Sequence, residues 1–162
     1  MFKLVKIFIF FSLFFIPLSC EDDQICIEQL SLKFKAEIKP LNPSSIFTID
    51  TIKITDITGL NNVEVFSGNS ISEFQALLPQ NLTTVIYKID LTFLSTDPLQ
   101  PKAPMSEVLT INYNSNNTFV SKACGFKTSY NNLSYSVGGL LTINDSKTEI
   151  NNKNETHLNL QF

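Results

Sequence analysis

Apolar and polar residues alternate one by one over several stretches of this chain. From Leu30 to Ile38, Leu30, Leu32, Phe34, Ala36 and Ile38 fall on one side, with Lys33, Lys35 and Glu37 opposite them. This is the period of two expected of a half-buried strand. From Val85 to Phe93 the same period sets Val85, Tyr87, Ile89, Leu91 and Phe93 against Lys88, Asp90 and Thr92, which predicts a central strand of the core. Ile46 to Ile49 and Ile52 to Ile57 read as one bent strand or two short ones, and Val63 to Phe66 as a further short strand. Ile71 to Leu78 is two-sided: Ile71, Phe74, Leu77 and Leu78 also fit a helical spacing, but Pro79 follows and the run is short, so strand is preferred. Val108 to Tyr113, Phe119 to Ala123, Leu133 to Val137, Leu140 to Ile143 and His157 to Phe162 complete the series.

The breaks between these runs are rich in turn formers. Pro40, Pro43, Gly59, Asn61 and Asn62, the asparagines after Tyr113 and the pair Gly138-Gly139 all punctuate the chain. Pro98, Pro101 and Pro104 mark an exposed loop, because proline can neither join a ladder nor continue a helix. About eight short strands without a convincing helix predict an all-β fold, an antiparallel β-sandwich of immunoglobulin-like or related Greek-key topology.

The first residues follow another pattern. Lys3 and Lys6 precede the apolar run Ile7 to Ile16, and Pro17-Leu18-Ser19-Cys20 leads at once into Glu21-Asp22-Asp23. A positive start, a short apolar stretch and small residues at its end make a signal peptide. The run is shorter than the about 18 to 20 apolar residues of a spanning helix. With Cys20 at its end it resembles a bacterial lipoprotein signal, in which cleavage leaves a diacylated cysteine at the new N-terminus. Pro17 stands where such signals usually carry leucine, so ordinary secretory cleavage stays open, with Cys20 then a third disulfide candidate. The expected organisation is a signal peptide over 1–19, an acidic tether over 20–28 and one sandwich domain over 29–162.

Three cysteines in an exported chain leave one odd. Acylating Cys20 would leave Cys26 and Cys124 as a pair in an oxidising compartment. Such a bridge closes almost the whole domain, and loop entropy assigns it about 4 to 5 kcal/mol. The CxxC spacing of redox and zinc sites is absent from the sequence, and no cofactor is expected.

Charge narrows the partners. Twelve basic residues, all lysine, stand against fifteen acidic ones, and losing Lys3 and Lys6 takes the net from −3 to −5. Without a basic stripe or any arginine for bidentate phosphate contacts, nucleic acid is not an expected partner.

Three stretches carry a further likeness: Phe119-Val120-Ser121-Lys122-Ala123-Cys124-Gly125-Phe126-Lys127-Thr128, the terminal Glu155-Thr156-His157-Leu158-Asn159-Leu160-Gln161-Phe162, and the opening Cys20 to Cys26. Together they resemble an uncharacterised lipoprotein family of Bacteroidota, a domain of unknown function. The resemblance implies an envelope location and a Cys26 to Cys124 pair, and no activity. The acids after Cys20 also resemble the tag that exports such lipoproteins to the cell surface, with the periplasmic leaflet as the other destination. Asp50-Thr51-Ile52 resembles the short O-glycosylation motif of these bacteria, making Thr51 a candidate acceptor.

Catalytic chemistry has few carriers. The single histidine, His157, is expected on the polar face of the last strand with Asn159 and Gln161, holding a structural hydrogen bond. Paired carboxylates such as Asp50 with Asp56, or Asp90 with an acid across strands, are the remaining enzymatic option. Cys124 before Gly125 could serve as a nucleophile, but a disulfide is the preferred state. The expected protein is a non-enzymatic binding or assembly module, lipid-anchored in the outer membrane at the cell surface or periplasmic face. Its partner would be an envelope protein or a glycan, the latter served by Tyr87, Tyr113, Tyr130 or Tyr135 in the absence of tryptophan. Alternatives are a small outer-membrane β-barrel and a secreted hydrolase using paired carboxylates.

Overall fold

The computed structural model describes residues 32–97, 99–122, 124–151 and 155–162. Its nine strands are β1 (Lys33–Lys39), β2 (Phe47–Asp56), β3 (Val63–Asn69), β4 (Glu73–Leu77), β5 (Thr84–Ser95), β6 (Met105–Ser121), β7 (Gly125–Val137), β8 (Thr142–Ser146) and β9 (Leu158–Gln161). They form one sheet in the order β4-β1-β9-β8 and another in the order β3-β2-β5-β6-β7. One apolar cluster, containing Phe34, Ile38, Phe74 and Leu160 from the first sheet and Ile52, Ile54, Tyr87, Ile89 and Ile111 from the second, fills the space between them. This is a β-sandwich, predominantly antiparallel. The two sheets are separate among the described residues and do not close into the single cylinder that an outer-membrane barrel requires.

Most of the alternation carries through. Phe34, Ala36 and Ile38 of β1 are buried, and in β5 Val85, Tyr87, Ile89 and Leu91 point inward while Lys88 and Asp90 lie on the outer face. In β4 it is Phe74 and Ala76 that turn inward, followed by Leu78, whereas Ile71 and Leu77 are exposed. The strand period therefore prevails over the helical spacing. β2 is one strand bent by a bulge: Ile49 pairs with Phe93 and Thr51 with Thr92, leaving Asp50 as the extra residue. The insertion resets the alternation, so Ile49 and Ile52, three apart, both face the core.

Two features depart from expectation. β1 pairs in parallel with β9, Ala36 opposite Leu158 and Ile38 opposite Leu160. A parallel pair needs a long connection, and here nearly the whole domain supplies it. The second departure is at Asn114 to Thr118, expected as a turn. It is instead the middle of the 17-residue strand β6, paired with Lys127 to Asn131 of β7. The β5 ladder ends at Asn112, so from Asn114 onward β6 pairs only with β7 among the described residues. Along this stretch the apolar alternation of β6 stops and Asn114, Asn116 and Asn117 take exposed positions, while β7 keeps Thr128 and Tyr130 buried and bridges Ile150 through Tyr130. The true reversal comes between Ser121 and Gly125, the last pair of the ladder. There Ser121 Oγ accepts the Cys124 N–H at 3.0 Å, and Gly125 takes the left-handed conformation, φ 72°.

Candidate functional site

Four tyrosines of the second sheet end on backbone carbonyls. Tyr87 of β5 donates its hydroxyl to Leu77 O at 3.3 Å, Tyr130 of β7 to Leu78 O at 2.6 Å and Tyr113 of β6 to Pro79 O at 2.7 Å. Three consecutive carbonyls at the end of β4 are thus held by three neighbouring strands of the opposite sheet. Tyr135 donates to Lys147 O at 2.9 Å. Tyr87, Tyr113 and Tyr130 are buried and Tyr135 is half-buried. Burial pushes all four phenols up, Tyr113 to about 12. These rings are therefore structural clasps, and the sugar-stacking platform expected of them is corrected: their faces pack into the core.

His157 is also placed differently from expectation. It is 1% exposed, and its Nδ1 accepts the Lys35 backbone N–H at 3.0 Å. An accepting Nδ1 carries no proton. The ring stacks at 6.1 Å on Phe34, which also meets Phe74 and Tyr135. The structural hydrogen bond is present, but the side chain sits in the interior, because it precedes the first ladder residue of β9 and is outside the strand's alternation.

The carboxylates proposed as pairs are dispersed. Asp50 and Asp56 stand at the bulge and at the end of β2, about 20 Å apart along an extended strand. Asp56 Oδ1 accepts the Thr58 N–H at 2.8 Å. Asp90 lies opposite Lys53 and Ser106 rather than another acid, with Lys88 Nζ at 2.9 Å. Desolvation pushes the Asp90 carboxyl up, but the hydrogen bonds from Lys88 and Ser106 and the charges of Lys88 and Lys53 outweigh it and hold it below the usual range. Among the described residues there is no group of three or more His, Cys, Asp or Glu that could hold a metal ion.

Thr51 is half-buried on the outer face of β2. Its hydroxyl lies 2.6 Å from that of Thr92, whose Oγ1 donates to Asp50 Oδ2 at 3.3 Å and accepts the Thr51 N–H at 3.1 Å. With the Thr92 proton given to Asp50, the Thr51 hydroxyl is the donor to Thr92. Cys124 is half-buried in the β6–β7 turn. Cys20, Cys26 and the signal segment lie outside the described residues.

Two surface features had no counterpart in the sequence reading. Lys102, from the proline loop, places its ammonium 4.1 Å from the Phe162 ring, 4.5 Å from Phe93 and 5.4 Å from Phe47. The rings close one end of the sandwich, and burial lowers the lysine's proton affinity. At the other end, Phe119 and Phe126 face each other across the β6–β7 ladder at 5.5 Å, and are 57% and 63% exposed. Exposed leucines such as Leu41, Leu99 and Leu140 sit singly in turns; the phenylalanines are a pair. A spacing of seven around Ser121-Lys122-Ala123-Cys124-Gly125 was the available clue to the second feature, once Lys122 to Cys124 is read as the turn.

No family model, curated protein or solved structure matches this chain.

Proposed function

We propose that this protein is a lipid-anchored module of the bacterial outer membrane that binds or helps assemble an envelope partner, a protein or a glycan, without catalysing a reaction. Cys20 is the acylated residue, Cys26 and Cys124 form the disulfide, and the chain is akin to the uncharacterised Bacteroidota lipoproteins it resembles. The observation that carries the reading is Cys20 itself, placed after a short apolar run and Ser19 and ahead of Glu21-Asp22-Asp23. The arrangement of the domain is compatible with a binding role. Histidine and tyrosines are committed to the interior, carboxylates are spread along the outer face, and loops and one aromatic pair are left for contact.

Thr51 is the acceptor we propose for O-glycosylation. A sugar there replaces the proton that Thr51 donates to Thr92, so attachment would cost that hydrogen bond while leaving the strand pairing of β2 intact.

The intact mass of the protein extracted from membranes, before and after reduction, tests these assignments together. The expected species begins at Cys20 with acyl chains, gains two hydrogen atoms on reduction and carries hexoses that disappear in Thr51→Val. A mass without acyl chains would overturn the anchor, and a thiol alkylated in the unreduced protein would overturn the Cys26 to Cys124 pair.

A further inference from the structure

The β6–β7 hairpin is the longest element of the fold and the one that outruns its sheet. β5 covers β6 only to Asn112, while the β6–β7 ladder continues to Ser121 and Gly125. At about 3.3 Å per residue, the tip lies roughly 25 to 30 Å beyond the end of the β5 ladder. Phe119 and Phe126 sit at that tip as a cross-strand pair, edge to face, more than half exposed. Ordinary cross-strand aromatic pairs bury a face against a sheet partner; here neither ring is among the buried residues of the core. Lys122 in the turn and Lys127 beside Phe126 bracket the rings.

We propose that the Phe119–Phe126 pair is a membrane-docking tip that seats in the headgroup region of the bilayer holding the acyl chains of Cys20. The inference rests on the lipid-anchor reading and extends it by assigning the surface that faces the lipid. Three observations choose a lipid surface as the occupant. Cys124 lies two residues before Phe126, in the turn between the two rings. With Cys26 as its disulfide partner, only six Cα-to-Cα steps lie between the acylated Cys20 and that bridge. Six extended residues reach about 20 Å and the bridge adds about 6 Å between Cα atoms, so the anchor holds the arm tip close to the bilayer. The opposite end of the sandwich, where Leu140 N–H donates to Glu107, is about 40 Å away along β6, from Phe119 to Glu107. Finally, rings with neighbouring lysines have the composition of an interfacial anchor, apolar body in the acyl boundary and cation among the headgroups.

Because the chain contains no tryptophan, one introduced indole reports alone. Acylated full-length Phe126→Trp, with Phe119→Trp as an independent second variant, is reconstituted into vesicles of phosphatidylethanolamine and phosphatidylglycerol, with and without brominated acyl chains. Leu140→Trp is the distal control. Vesicle flotation and intact mass report the anchor, and tryptophan emission reports the tip. The expected result is flotation of all three proteins, with blue-shifted and strongly quenched emission at 126 and 119 and unquenched emission at 140. Flotation with unquenched emission at 126 and 119 overturns the docking tip while the anchor stands. A protein without acyl chains that fails to float overturns both. Blue-shifted emission at 126 already present without vesicles, and unchanged by bromine, would mean a protein contact in place of the lipid and also overturns the proposal.

Discussion

The hydroxyl of Tyr130 donates a 2.6 Å hydrogen bond to the carbonyl of Leu78, 52 positions earlier and in the opposite sheet. Both residues are buried, Tyr130 at 4% and Leu78 at 2% exposure, so neither group has water as a substitute partner. Removing the hydroxyl strands the carbonyl, which costs about 1 to 3 kcal/mol, more than the net value of a typical hydrogen bond. Tyr130→Phe is expected to lower the unfolding free energy by that amount, read as a lower urea midpoint with the slope unchanged. Tyr87→Phe, whose bond to Leu77 O is longer at 3.3 Å, should cost less. Equal effects would show that packing, not the hydroxyls, holds the sheets in register.

The same clasps set an alkaline limit. Burial first, then the neighbouring Tyr130 and Asp56, pushes Tyr113 up to about 12, and Tyr87, Tyr130 and Tyr135 are raised too, chiefly by burial. An unfolded tyrosine titrates near about 10. Between the two values the unfolded chain has lost protons that the folded chain keeps, so unfolding gains as the pH rises. The contribution is complete below about pH 10 and is lost as the pH climbs toward the folded values. Tyrosinate absorbance is therefore expected to appear together with loss of β circular dichroism; phenols titrating near pH 10 in a chain that stays folded would contradict the burial.

Where a residue's neighbours are consecutive in sequence, the fold could be read from the chain. Val85 to Phe93 and, within the described residues, Leu32 to Ile38 alternate because each strand has one core face, and the alternation alone identifies them. Asp50 was legible only as a kink, since a bulge changes which residues face inward without changing their identities. Asn114 to Asn117 misled for a physical reason: beyond Asn112 β6 has lost its β5 partner and Asn114, Asn116 and Asn117 themselves lie at exposed positions, so asparagine's turn preference is opposed by no apolar requirement at those positions, and cross-strand pairing with β7 decides. His157 and the tyrosines were legible as residue types but not as roles, because Lys35, Leu77, Leu78 and Pro79 come to them from distant strands.

Phe34 joins several of these distant contacts. Its ring is fully buried and meets Phe74 at 6.1 Å, Tyr135 at 6.0 Å and His157 at 6.1 Å. Phe34→Ala removes one wall from all three and is expected to cost about 3 to 5 kcal/mol. His157→Phe keeps a ring in place but leaves the Lys35 N–H without its acceptor, for about 1 to 3 kcal/mol. Chemical denaturation of both variants checks the ordering: a larger loss for His157→Phe than for Phe34→Ala would mean that the imidazole does more than hold β1 to the end of the chain.

Lys102 offers a separable test at the far end of the sandwich. Its ammonium stands within 5.4 Å of three ring centroids, Phe47, Phe93 and Phe162, and Phe93 and Phe162 themselves lie 4.8 Å apart across the two sheets. A desolvated cation over such faces contributes about 0.5 to 2 kcal/mol, and the aliphatic stem covers ring surface as well. Lys102→Met keeps the stem and discards the charge, whereas Lys102→Ala discards both. If the cation holds the proline loop down, both variants lose stability and proteolysis at Leu99 to Ala103 quickens in both. A methionine variant as stable and as resistant as the native chain would assign the contact to the stem alone, leaving the three rings a closed apolar end that needs no charge above it.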